Sequence, residues 1–457
     1  MIKKFLAPLF LVLLLQINIS SQRLFSEEEL KSDLHFYKIN LERQHPNLYL
    51  YAPKDQINFF FDSISNSINK PLTEAEFYSK ITLSSNIVKD GHTLILPSNS
   101  FTDYHNTHSK FLPFQIGFVD QNLYVKMNCT KTKLLEDGTI IDSINGLAAS
   151  SIIEKLLKRQ VRDGKNLSYA KWILDTYFRE YYSYQFGHPS SFQISYTNSD
   201  RKYTVITSAL PKDSIYFYRQ KNDLYLNSKT QNEKGIDLKY DSTKRVAILT
   251  IKDFHTDILK SEYNQNFIKE IKNILNSIIK SKAQNLVIDL RNNQGGDVEN
   301  GVYLLKYLIP KPFKVVNQYE KIKNGRLVAA KGPSMGIHTP FKNQFKGKIY
   351  VLLNGGSFSN SVIFSSCLRE NTNTVFVGTE SGGNPHVLAG YAKDFELPNT
   401  KINVQIPTKR FIMTNIQKND GSGLLPTYMV DSSIEHFLLQ KDNQFDFLLD
   451  IIYKNEN

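Results

Sequence analysis

The chain of 457 residues has only two cysteines, Cys129 and Cys367. A single pair so far apart makes no disulfide framework and no four-ligand zinc site. Cys367 falls on the apolar face of a helical stretch, which assigns it to packing. Paired Cys/His spacings, basic-region heptads and aromatic–glycine RNA motifs are all missing, which excludes nucleic acid as a partner. Long hydrophobic runs are equally scarce. The run Phe5–Leu15 offers about eleven apolar residues, against the roughly 20 that a bilayer crossing needs. Blocks of like charge are absent too. The formal net charge of +12 comes from lysines interspersed with acids, so it reads as a solvated surface, with a basic face toward polyanions as the alternative.

What is present suits a folded, exported protein. Hydrophobic residues make up 41% and aromatics 12%, enough for a sizeable core. At roughly 150 residues per domain the length corresponds to two to four domains. "MIKKFLAPLFLVLLLQINISSQ" has two lysines, a short apolar run and small polar residues, the pattern of a secretory signal peptide cut near Ser20 or Ser21. The expectation is residues 1–21 removed and a mature chain without stable membrane insertion, in the periplasm or secreted.

Residues 22–110 read as helical. Ser26 caps an acidic first turn, Pro46 stops that helix, and Thr73 opens another. Asp90-Gly91 then turns the chain into a short strand, Thr93–Leu96. Residues 111–212 alternate strands with a helix around the Asn145-Gly146 turn. A lysine- and asparagine-rich connection, 213–239, follows. From 240 to 457 the pattern is strand–helix–strand: "RVAILTI", an amphipathic helix in "NQNFIKEIKNILNSIIKS", then "NLVIDL", short and apolar enough to be buried on both faces, and later the strand "KIYVLLN". The fold class is therefore α/β with a mostly parallel sheet.

Active groups collect at the carboxyl ends of parallel strands. After "NLVIDL" comes Arg291-Asn292-Asn293-Gln294-Gly295-Gly296; after "KIYVLLN" comes Gly355-Gly356-Ser357-Phe358-Ser359-Asn360-Ser361. Paired glycines let main-chain N–H groups approach a ligand, and a serine at a helix N-terminus sits where negative charge is favoured. Together they could form a nucleophile beside an oxyanion hole. The bland reading is that Ser357, Ser359 and Ser361 merely cap the helix. The α/β-hydrolase elbow is excluded, because no serine here has glycine two residues away on both sides.

"NLVIDLRNNQGG" and "VLLNGGSFSNSVIFSSCLREN", with "DGHT" upstream and "INGLAASSIIEKL" between, resemble the C-terminal processing (tail-specific) serine peptidases. That resemblance implies a crotonase-like catalytic domain, a PDZ-like unit over residues 111–212, a polypeptide substrate, and neither cofactor nor metal. It places the nucleophile on Ser359, with oxyanion donors from Asn360 and from Gly295 or Gly296. The family's lysine base is missing: its position falls on Asn384, which accepts no proton at neutral pH. The tricorn-core branch uses a histidine from the N-terminal part of the chain, and here that position looks like His92. Imidazole, with an ordinary pKa near 6.5, suits the task. The same branch places an acid near the C-terminus, matched by Asp420 in "NDGSGLLPT", with aspartate where glutamate is expected. His386 competes as a base from the catalytic segment, and His45 reads as packing at a helix end. The rival function is an inactive relative that binds peptides or apolar ligands.

Overall fold

The computed structural model describes residues 23–119, 121–228, 233–243, 245–332, 334–414 and 421–454. The expected signal peptide lies outside them. Among the described residues, no helix is long and apolar enough to cross a membrane.

The central sheet has six strands in the order Ile236–Tyr240, Val246–Ile251, Asn285–Asp289, Lys348–Leu353, Val375–Gly378, Tyr428–Met429. The first pair is antiparallel and the rest are parallel. Alternate residues serve opposite cores. Leu249, Leu286, Ile288, Val351 and Phe376 face the helices Phe267–Ser281, Val298–Leu308 and Asn360–Asn371. Val246, Val287, Leu352 and Val377 face the helix Asn443–Lys454 through Leu448 and Ile452. Burial on both faces is why these strands are apolar throughout. The helix Phe267–Ser281 buries Phe267, Ile271, Leu275 and Ile278, one stripe at helical spacing. Each contributes about 1.5–3 kcal/mol by leaving water. Cys367 is buried in the same core.

A second sheet, not anticipated from the sequence, runs Arg326–Ala330, Val316–Lys323, Asn403–Met413, Val387–Glu396. The short strand Leu94–Leu96 joins it, with Leu96 opposite Asn403 and Leu94 opposite Gln405. This pairing carries the residues just before Leu94 across to the catalytic segment. The N-terminal helices cement it: Leu30, Tyr37, Leu41 and Phe77 share one core with Leu397, Ile402, Val404 and Ile406.

Residues 114–208 form an antiparallel sheet covered by the helices Ala149–Leu157 and Ser168–Phe186. The second of these, 19 residues long, was not anticipated, although Tyr169, Ile173, Phe178 and Tyr182 mark its buried stripe. The expected connection at 213–239 is also corrected. It contains the helices Lys212–Arg219 and Asp223–Ser228, and its end, Ile236–Tyr240, is the edge strand of the central sheet. Ile215 is the reason it folds, because it packs with Phe111, Met127 and Cys129.

Candidate active site

Ser359 stands between the strand Lys348–Leu353 and the helix Asn360–Asn371, with φ +51° and ψ −118°. A non-glycine residue in that region costs of order 1–3 kcal/mol and persists only where its surroundings impose it. Here they do. Ser357 Oγ donates to Leu290 O at 2.8 Å and accepts from Asn354 N at 3.1 Å. Ser361 Oγ donates to Asn293 O at 2.8 Å, and Phe358 N donates to the same oxygen at 3.0 Å. Ser357 and Ser361 are fully buried and tie the serine turn to the turn after Asn285–Asp289. The Ser359 side chain makes no cap hydrogen bond, and the residue is half-buried.

The partner of Ser359 comes from the other end of the chain. His92 Nε2 lies 3.1 Å from Ser359 Oγ. The His92 loop is held by Asp90, whose Oδ1 accepts the His92 N–H at 2.9 Å and the Thr93 hydroxyl at 3.1 Å. His45, buried at the end of the first helix, lies 2.9 Å from Thr93 Oγ1 through Nε2. Its Nδ1 accepts the Asn47 N–H at 3.0 Å, so its proton sits on Nε2 and points at Thr93. His45 therefore packs at a helix end and also braces the His92 loop. Burial depresses the His92 pKa, with the Asp90 charge pulling the other way. Its Nδ1 is buried without a hydrogen-bond partner among the described residues. Asp420 lies outside those residues. Gly421, next to it, abuts the main chain at Asp163 and Gly164.

The position expected for a lysine is a scaffold. Asn384 is buried, its Oδ1 accepts the His386 N–H at 2.9 Å and its Nδ2 donates to Tyr51 Oη at 2.7 Å. His386 does not line the cleft that holds Ser359 and His92.

The two glycines differ. The Gly295 N–H is taken by Asn293 Oδ1 at 2.9 Å, which removes it as an oxyanion donor. A Cβ on Gly295 would stand 2.7 Å from both Asn360 N and Ser359 Cβ, so glycine is required there for close approach. The N–H groups of Gly296 and Asn360 meet no acceptor among the described residues. Gly296 is held by Phe254, which donates to Gly295 O at 2.9 Å and accepts from Asp297 N at 3.2 Å.

An aromatic column, absent from the sequence reading, backs the pair. His92 packs on Phe358 at 4.5 Å between centroids, Phe358 stacks on Tyr169 at 4.1 Å, and Tyr169 on Trp172 at 5.7 Å. Tyr169 Oη donates to Gln294 Oε1 at 3.0 Å, and Trp172 Nε1 to Asn292 Oδ1 at 2.8 Å. The cleft has a volume of about 470 Å³ and is lined by apolar groups such as Val298, Ile363, Leu388 and Phe411. His255 also lines it, with Nδ1 2.7 Å from Asp253 Oδ1 and its pKa raised chiefly by that bond. A larger groove of about 930 Å³ opens beside Asn285 and Lys348, at the amino ends of the strands and away from this chemistry.

Residues 245–430 match Peptidase family S41. That segment is similar to the peptidases of this family. Relatives include the "Probable CtpA-like serine protease" of Staphylococcus epidermidis, 25% identical over 183 residues, 40% of this chain and 33% of that protein. The match thus spans about a third of that relative's length. The "Nisin-resistance protein" of Lactococcus lactis is 27% identical over 161 residues, 34% of this chain and 49% of that protein. Among solved structures, mature CPAF complexed with lactacystin superposes with a TM-score of 0.69 at 13% identity, covering 93% of this chain and 97% of that one. That likeness shows a shared fold. In this chain the S41 segment holds Ser359 and the glycine turn, whereas His92 lies outside it.

Proposed function

We propose that this protein is an exported serine endopeptidase with Ser359 as nucleophile and His92 as base. The observation that carries the reading is the 3.1 Å contact between Ser359 Oγ and His92 Nε2. Ser359 attacks the peptide carbonyl while His92 takes its proton. The oxyanion forms beside the N–H groups of Gly296 and Asn360, and His92 returns the proton to the leaving amine. Asp420 is proposed to orient His92. Gly295 serves by letting the two turns approach.

The catalytic part is read as crotonase-like and residues 111–212 as a PDZ-like unit. The edge strand Phe114–Val119 of that unit is already engaged by its own helix. Asp175 accepts the Phe118 N–H at 2.9 Å, and Arg179 donates to the carbonyls of Leu112 and Phe114, each at 2.9 Å. A peptide adding to this edge has to displace both side chains.

Labelling with a fluorophosphonate tests the reading. The wild-type protein should react at Ser359, identified by peptide mapping, and a chain that stays unlabelled at every pH is a binding protein instead. Export is checked by N-terminal sequencing of the protein from its native envelope or medium. The mature chain should begin near Ser21 to Arg23, and an intact Met1 in the membrane fraction would contradict cleavage.

A further inference from the structure

A carboxylate that this mechanism leaves unused sits behind the His92 loop. Asp163, between the helices Ala149–Leu157 and Ser168–Phe186, is only 2% exposed. Its Oδ1 accepts the Gly91 N–H at 2.8 Å, and its Oδ2 accepts the Asn384 N–H at 3.0 Å. Gly91 immediately precedes His92. Asn384 leads into the strand Val387–Glu396, whose Leu388 and Ala389 line the cleft. The middle segment thus joins, through one side chain, the loop carrying the base and the strand flanking the substrate. Both bonds are charge-assisted only while Asp163 is ionised.

We propose that Asp163 is a positioning residue for the Ser359–His92 pair, clamping the base loop to the cleft strand in its carboxylate form. The inference rests on the serine peptidase reading. Replacement by asparagine leaves one acceptor oxygen and turns an N–H toward the second main-chain N–H, so one side of the clamp opens. Protonation weakens the same bonds.

The groups around Asp163 are Asp90 and His92 on the base loop, His45 behind Asp90, and Tyr169 on the following helix. Arg162, next in sequence, is turned to Asn86 and the Leu157 carbonyl. Burial, then the Asp90 charge, push Asp163 up to about 7, against the pull of its two N–H donors. His92 is displaced the other way, below 6.5, chiefly by burial. Activity needs Asp163 ionised and His92 neutral, and both conditions are met as pH rises. The higher of the two titrations, that of Asp163, sets the acid limb.

The test follows the second-order rate of fluorophosphonate labelling against pH, which needs no knowledge of the substrate. Wild-type protein should rise with a midpoint near 7. Asp163→Asn should reach a plateau lower by roughly 10- to 100-fold, since small misplacements of catalytic groups cost that much. Its midpoint should fall below 6.5, where His92 alone titrates. Should the variant not fold, the Gly91 and Asn384 amide resonances of the wild-type protein replace it; they should titrate with the midpoint of the labelling rate. A variant with the wild-type plateau and midpoint overturns the proposal, as do amides that titrate elsewhere. Wild-type protein that labels at no pH removes the Ser359–His92 reading, and this proposal falls with it.

Discussion

Ser359 differs from Ser357 and Ser361 in environment rather than in kind. All three are turn serines in one short stretch, yet two spend their hydroxyls on carbonyls of the neighbouring turn and one faces the cleft. Substitutions should separate them. Ser359→Ala should abolish labelling while keeping the melting temperature within a few degrees, because no core contact is lost. Ser359→Gly should be equally inactive but more stable than Ser359→Ala, since glycine adopts φ +51° without the side-chain penalty. Ser357→Ala should cost about 1–3 kcal/mol of stability by leaving Asn354 N–H without its acceptor. His92→Ala should cost as much activity as Ser359→Ala, and the double variant should be little worse, because the two act as one unit. Asp163 has a stability signature of its own. Its folded pKa is raised, so its stabilising contribution is full at low pH and is lost as pH climbs from about 4 toward about 7. Thermal melts should therefore show Asp163→Asn gaining on wild type across that window while it loses activity.

The helix Ser168–Phe186 is the element that joins the middle segment to the chemistry. Its first turns carry Tyr169 and Trp172 against the serine turn, and the loop before it carries Asp163. Packing of Tyr169 on Phe358 works at this junction beside the polar contacts of Asp163, Asn166 and Ser168. Tyr169→Phe should cost only the bond to Gln294, about 0.5–1.5 kcal/mol, and retain most activity. Tyr169→Ala should cost about 3–5 kcal/mol and lower the labelling rate, because the cavity lets Phe358 and the turn it belongs to relax. Denaturant melts and labelling rates on the same samples check both. A Tyr169→Ala protein with wild-type stability would show the column to be incidental.

At the scale of the whole molecule, the site is assembled from three parts of the chain, each with its own core. The serine turn follows a strand of the central sheet, the base arrives with the N-terminal helices, and Asp163 comes with the middle segment; they meet in one small cluster that holds Phe358, Val161 and Tyr169, with Leu94 packed on it. The S41 segment by itself holds neither His92 nor the partners of Leu397, Ile402, Val404 and Ile406. Expressed as residues 245–457, the protein should therefore be inert to fluorophosphonates and prone to aggregate through that uncovered face. Full labelling of such a fragment would place the base inside the catalytic segment.

The strands Val246–Ile251, Asn285–Asp289 and Lys348–Leu353, the amphipathic helix Phe267–Ser281 and the serine and glycine turns were legible in the sequence, because local spacing alone dictates them. Periodicity shows which face is buried, and the residue types at strand ends show where chemistry can gather. The absent lysine was equally plain from Asn384. Tertiary structure alone decided the rest, since each remaining feature depends on residues distant in the chain. The short strand Leu94–Leu96 was legible after the Asp90-Gly91 turn, but its pairing with Asn403–Gln405, which brings His92 to Ser359, was not. Gly295 and Gly296 look alike until Asn293 takes the N–H of one. Asp163 carries no motif at all. Its place is set by two main-chain donors, Gly91 and Asn384, that lie 72 and 221 residues away, a proximity that burial creates and local spacing cannot encode.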